Sequence, residues 1–261
     1  MADKSYKSYR QQLNILRSRG MVIGKGSQGS RVMRILEREN YYNVINGYKE
    51  LFLASKATAT ADEAYKTGTT FDEVYALYNF DRELRNIYLK YLLKLENTFK
   101  TVIAHEFSAK YGHDNYLKIE NFDNSTERNI SSSIKLIGDI QQEIARQMSK
   151  HHQVVTHYMT EHGYIPLWVL VNVLTFGKIE NFSVLGIVRA ADGSYTYGTN
   201  DAYAIAIMFA LLLSKSDLND FISSMRTAFG NLQKQLHTIS AADIMSIMGY
   251  DTNWTNLVNL I

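Results

Sequence analysis

FDEVYALYNFDRELRNIYLKYLLKLENTFKTVIAHEFSAKYG, running from Phe71 to Gly112, is the stretch whose reading decides the fold class. Its apolar residues Tyr88, Leu92, Leu95, Phe99, Val102 and Ile103 recur at three and four, the period of one helix face, and predict a stripe for the middle of a helical bundle. Thr70 followed by Glu73 forms a capping box, in which hydroxyl and carboxylate each serve a backbone N–H at the helix start. Gly112, after Lys110 and Tyr111, is a natural stop. A pattern this long predicts a break or kink near Asn79 to Asp81, where the apolar spacing slips.

Working outward, the chain has 261 residues, 46% hydrophobic and 21% charged, enough to bury a sizeable core. One proline and 15 glycines leave few breakers, which favours long helices over short strands. The expected fold is all-α, one domain over 1–261, with a basic helical region over about 1–55 and a helical core over about 70–261. Cysteine is absent, so there is no disulfide framework, thiolate metal site or thiol nucleophile, as suits a reducing cytosol. No basic and apolar signal sequence opens the chain. The longest apolar runs, IPLWVLVNVLTF and AYAIAIMFALLL, fall short of the roughly 20 residues that span a bilayer and read as buried helices. A soluble cytoplasmic protein without a membrane partner is expected.

Formal net charge is only +2, yet residues 1–38 hold nine Lys or Arg against Asp3 and Glu37. A basic end on a near-neutral chain is the footprint of a polyanion binder; the plainer alternative is a solvated helix face. The first helix is predicted over Lys4 to Gly20, with Tyr9, Leu13 and Leu16 inward. GMVIGKGSQGS contains Gly24, Gly26 and Gly29 in a formal G-x-G-x-x-G, but no strand precedes it and no acidic residue closes a βαβ unit, so it reads as a flexible loop. A second helix from near Ser30 places Arg31, Arg34 and Arg38 on one side, where guanidiniums suit successive phosphates of an RNA backbone or serve as surface ion-pair partners. Tyr41, Tyr42 and Tyr48 are either base-stacking rings or core. LASKATATADEAYKTG lacks periodicity and reads as an exposed connection.

In the second half, a helix from Ile134 turns Ile137, Ile140, Ile144 and Met148 inward. Pro166 opens and Gly177 closes an apolar helix in which Trp168 is expected as a core anchor. VRAADGSYTYGTNDAY is a polar insertion, with a short β-hairpin over about 187–200 and Tyr195 and Tyr197 as contact candidates. AIAIMFALLL is predicted to be buried all round, and 217–236 and 241–248 supply the last helices.

LRSRGM, RENYYNVINGYKELF, TGTTFDEVYALYNFDRELR, KLENTFKTVIAHEFSAKYGHDNYL, YIPLWVLVNVLTFGKIENF and IMSIMGYDTNW, in that order, resemble the Abi (abortive infection) family of bacterial phage-resistance proteins, in its AbiD/AbiF-like group. The resemblance implies an all-helical bundle related to the HEPN nucleases, a role in stopping phage propagation, and a toxin-like, metal-independent endoribonuclease. Some members of the group look like RNA-cleaving toxins restrained by a small structured RNA, as in a toxin–antitoxin pair. The site would use no cofactor and work as a homodimer.

HEPN chemistry asks for an Arg, four to six residues and a His: an imidazole moves the proton of the ribose 2′-hydroxyl while a fixed cation neutralises charge building on the phosphate. The match on the central stretch is Lys100 and His105, with lysine in the place of arginine. Five positions on a straight helix set the two about 140° apart, so one phosphate demands helix distortion or a second chain. A C-terminal R-N-x-x-A-H motif like that of longer relatives is missing, since Arg226 and His237 lie too far apart in SSMRTAFGNLQKQLHTI. Arg146 and His151 are a second formal pair. Alternatively, Arg31, Arg34, Arg38, Arg82, Arg85 and Lys94 hold a structured RNA without cutting it, or the chain senses a phage protein. Among His151, His152, His157, Glu161 and His162 only His157 and Glu161 share a helix face, which is not the H-E-x-x-H of a zinc site, and no metal is expected.

Overall fold

The computed structural model describes residues 5–175, 178, 206, 209–250 and 253–260. It is predominantly helical, with one two-stranded sheet among the described residues. Two compact units emerge, one from the described residues within Met1–Tyr91 and Tyr197–Ile261, the other from those within Leu92–Thr196. Among the described residues no helix is long and apolar enough to cross a membrane.

The first unit begins with α1 (Tyr9–Ser18), capped by a reciprocal Ser8–Gln11 box, and α2 (Ser27–Glu39). Leu13 and Leu16 of α1 and Val32 and Leu36 of α2 are buried, whereas Tyr9, expected inward, is exposed because α1 starts only there. The glycine loop between them is not loose. Arg17 donates from Nε to Ile23 O (3.1 Å) and from Nη2 to Gly24 O (2.6 Å), and Gly24 N donates to Gln28 Oε1 (2.8 Å). Gly26, at φ +67°, is the residue before α2 and supplies the left-handed turn that admits it.

LASKATATADEAYKTG departs from expectation. It contains β1 (Leu53–Ser55) and β2 (Ala64–Tyr65), paired antiparallel. Strands this short show no alternation in sequence; they are fixed instead by Tyr65 N donating to Arg19 O and Lys66 N to Phe52 O. Buried Glu63 accepts from Arg19 and Lys49, each at 2.6 Å, so a charge that would be costly alone is doubly compensated.

Helix α3 (Phe71–Tyr111) runs as one unbroken helix of 41 residues. The expected break at Asn79 to Asp81 is absent: Phe80 is buried there, and Asp81 accepts from the Tyr48 hydroxyl at 2.5 Å and pairs with Arg85 one turn on. Its capping box forms as read, with Thr70 N donating to Glu73 Oε2 and Glu73 N to Thr70 Oγ1. Gly112, at φ +89°, ends it. The stripe is only partly inward, since Tyr88 and Leu95 are buried but Val102 is 52% exposed. The first unit closes with α7 (Lys215–Gln233), α8 (Ala241–Ile247) and a 3₁₀ segment Trp254–Leu260, around a ring cluster of Tyr88, Tyr91, Phe209 and Phe221. Ala206, Phe209, Ala210 and Leu213 are buried but Leu211 and Leu212 are exposed, so the described part of AIAIMFALLL is not buried all round.

The second unit packs the C-terminal part of α3 with α4 (Glu127–Ser149), α5 (Gln153–His162) and the short α6 (Leu167–Leu170). Ala104, Tyr116, Leu136, Ile140, Val155 and Ile165 are among its core, and the buried Tyr116 hydroxyl donates to Ile165 O at 2.8 Å. Trp168 is no core anchor: α6 is a single turn after Pro166, and the indole lies 52% exposed. The expected Gly177 stop, the 187–200 hairpin, Tyr195 and Tyr197 lie outside the described residues.

Candidate functional site

The cleft of the second unit follows from residue size. Along α3, Lys100, Ala104, Ser108 and Gly112 recur every fourth position with Thr101, His105 and Ala109 beside them, giving one continuous helix face. Most of these side chains are short, so the face is hollow where larger residues would fill it. Trp168, Val171 and Asn172 form the opposite wall and His113 lies past the helix end, enclosing about 660 Å³.

Lys100 and His105 both line this concave surface, about 140° apart around the helix. They differ in environment. The Lys100 side chain is 14% exposed and its ammonium pairs with Glu96 Oε1 at 2.7 Å, one turn earlier. The His105 ring is 77% exposed, with Nδ1 3.2 Å from Glu106 Oε1, and is open to solvent and ligand. About one turn past His105, the Ser108 hydroxyl is buried without a hydrogen-bond partner among the described residues. Thr98 and Thr101 on the same helix back-bond to the carbonyls of Lys94 and Asn97, whereas Ser108, like Thr156 on α5, does not.

The other candidate pairs have structural occupations. Arg146 chelates buried Glu143, with Nε 3.1 Å from both oxygens and Nη2 2.5 Å from Oε1, while Gln147 and Lys178 donate to the same carboxylate. Chiefly because of the Arg146 guanidinium, the Glu143 carboxyl is held down to about 2. His151 stands beyond the end of α4 in a left-handed conformation, φ +53°. His237 gives its backbone N–H to Glu73, a fastening of the first unit.

The six cationic candidates for RNA divide likewise. Arg31 Nη1 lies 2.5 Å from Asp72, Arg82 Nη1 3.2 Å from both oxygens of Glu39, and Arg85 pairs with Asp81. The first two contacts join α2 to α3 along a seam. Arg34 and Arg38 are exposed on α2 with no ion pair among the described residues, and Lys94 is exposed on α3 in the other unit. Of the three tyrosines, Tyr42 is exposed at 70%, Tyr48 is tied to Asp81, and burial raises the Tyr41 hydroxyl pKa against the lowering effect of Arg19. No group of three or more His, Cys, Asp or Glu among the described residues is placed to hold a metal ion.

His113, Ser108, Trp168 and Asn172 escaped the sequence reading as cleft residues. The repeat of Ala104, Ser108 and Gly112 at every fourth position was the available sign, because small side chains on one helix face leave either close packing or a hollow.

Comparison with curated proteins and with solved structures finds no match. A family model described as Abi-like protein matches residues 34–241, spanning the described elements from within α2 to the start of α8. The chain thus belongs to the Abi-like protein family, which points to abortive-infection defence against phage.

Proposed function

We propose that this Abi-like protein serves abortive infection by cutting RNA without a metal, at the cleft of its second unit. The observation that carries the reading is that Lys100 and His105, a cation and an imidazole, line one concave surface. In the reaction, the His105 imidazole takes the proton of a ribose 2′-hydroxyl and that oxygen attacks the adjacent phosphorus. The bond to the 5′-oxygen then breaks, that oxygen takes a proton from solvent water as it leaves, and the His105 imidazolium returns its own proton to solvent. Because about 140° around an unbroken helix keeps Lys100 and His105 of one chain from a single phosphate, the Lys100 that neutralises the charge gathering on the phosphate oxygens is that of a second copy of this chain, and its ammonium exchanges Glu96 for the phosphate.

A second reading is favoured by that same ion pair. With Lys100 already neutralised, the chain holds a structured RNA and does not cut it. Labelled single-stranded RNA incubated in chelator with native protein, Lys100→Ala and His105→Ala separates the two. The nuclease reading expects cleavage by native protein and a loss of about a hundredfold or more in each variant. Cleavage undiminished in both variants rules the site out, and binding without cleavage by native protein selects the second reading.

A further inference from the structure

A line of exposed rings leads to this cleft. His157 and His162 on α5 have ring centroids 5.8 Å apart, His162 and Tyr164 6.2 Å, Tyr164 and His113 5.1 Å, and His113 and Trp168 5.9 Å. All five residues are exposed, and all belong to the second unit. Local structure explains the line. Gly112 ends α3 at φ +89° and Gly163 ends α5 at φ +76°, and each left-handed turn is followed at once by a ring, His113 and Tyr164. Leu167 N donates to His113 O at 2.9 Å, which holds the start of α6, and with it Trp168, beside the end of α3.

We propose that this ring line is a stacking track for single-stranded RNA, which delivers the strand to the cleft where Lys100 and His105 stand. The inference rests on the RNA reading above and adds the substrate class and the direction of approach. Five planar groups, each close to the next and tilted to it by between 44° and 86°, suit flat, polarisable partners better than an apolar helix face. Bases offer such faces whatever their identity, and only an unpaired strand has them free to stack on a protein. The track ends at Trp168 and His113, which themselves line the cleft.

Tryptophan emission reports the track, because the only other tryptophan, Trp254, is 4% exposed in the first unit. A single-stranded oligoribonucleotide titrated into native protein in chelator is expected to quench Trp168, and the same sequence as a duplex is expected not to. By filter binding, Trp168→Ala and Tyr164→Ala each weaken single-strand affinity about tenfold or more, and Trp168→Phe restores most of it. Tyr164→Ala, outside the cleft lining, keeps the test intact should the Trp168 variant fail to fold. Equal affinity for duplex, absence of quenching, or unchanged affinity in Tyr164→Ala overturns the track. Ring-dependent binding by a native protein that cleaves nothing sinks the nuclease reading and leaves the track, whereas cleavage with undiminished affinity in these variants does the reverse.

Discussion

At the scale of single residues, the same residue types sit at very different tasks. Lys100 and His105 were singled out by resemblance to a family motif and not by their own surroundings, and the structure places both along one cleft. Arg146 and His151 match the same spacing, yet Arg146 is committed to Glu143, a partner three residues back that no spacing rule for catalysis would weigh. Glu143 is 5% exposed and ionised, held by Arg146, Gln147 and Lys178. Its folded carboxyl titrates at about 2, against an ordinary 4.5. A depressed carboxyl stabilises fully above the ordinary value, and the contribution is lost as pH falls from about 4.5 toward 2. Arg146 is half-exposed, so solvent screens part of that effect. Glu143→Gln is therefore expected to lower urea-unfolding stability by about 1–3 kcal/mol at pH 7, with the gap to native protein closing on acidification. A gap that stays constant down to pH 3 would show that shape, and not charge, is what Glu143 provides.

At the scale of elements, legibility tracks how local the determinants are. The start and stop of α3 were readable because a capping box and a left-handed glycine act within four residues. The β1–β2 hairpin was not, because its register comes from Arg19 O and Phe52 O, partners outside it. Trp168 was misjudged for a related reason: an apolar neighbourhood in sequence says which residues are greasy, not which side of a one-turn helix meets the core. Even the cap of α3 has a distant half. Glu73, fully buried, serves Thr70 with one oxygen, and with the other accepts from the N–H groups of His237 and Thr238 (2.6 Å each) and the Thr238 hydroxyl (3.0 Å). Burial raises its pKa, but these donors together outweigh it and leave the carboxyl below its ordinary value. Glu73→Ala leaves several donors without an acceptor and is expected to cost roughly 2–4 kcal/mol, whereas Thr70→Ala, which loses only the local cap, costs about 1 kcal/mol. Equal losses in urea unfolding would mean that the attachment to His237 and Thr238 contributes nothing.

For the molecule as a whole, the issue is what the basic N-terminal charge is for. Formal net charge is only +2, and in the first unit many of the cations are engaged: Arg17 on two carbonyls, Arg19 and Lys49 on Glu63, Arg31 on Asp72, Arg82 on Glu39, Arg85 on Asp81. Half-exposed pairs such as Arg31 and Asp72 are weak, about 0–1 kcal/mol, so a phosphate could displace the carboxylate. The displaced carboxylate would remain beside the phosphate and repel it, however, so such pairs add little net attraction. Arg34 and Arg38, exposed on α2 without an ion pair among the described residues, carry no such handicap. If α2 contacts RNA, replacing both with Gln should remove about two phosphate contacts. On a single strand that flattens the plot of log affinity against log salt by about 1.4. Filter binding between about 50 and 200 mM salt resolves a change of this size. An unchanged slope would assign the basic face of α2 to solvation and leave the proposed ring track of the second unit, where stacking would depend little on salt, as the candidate for RNA recognition.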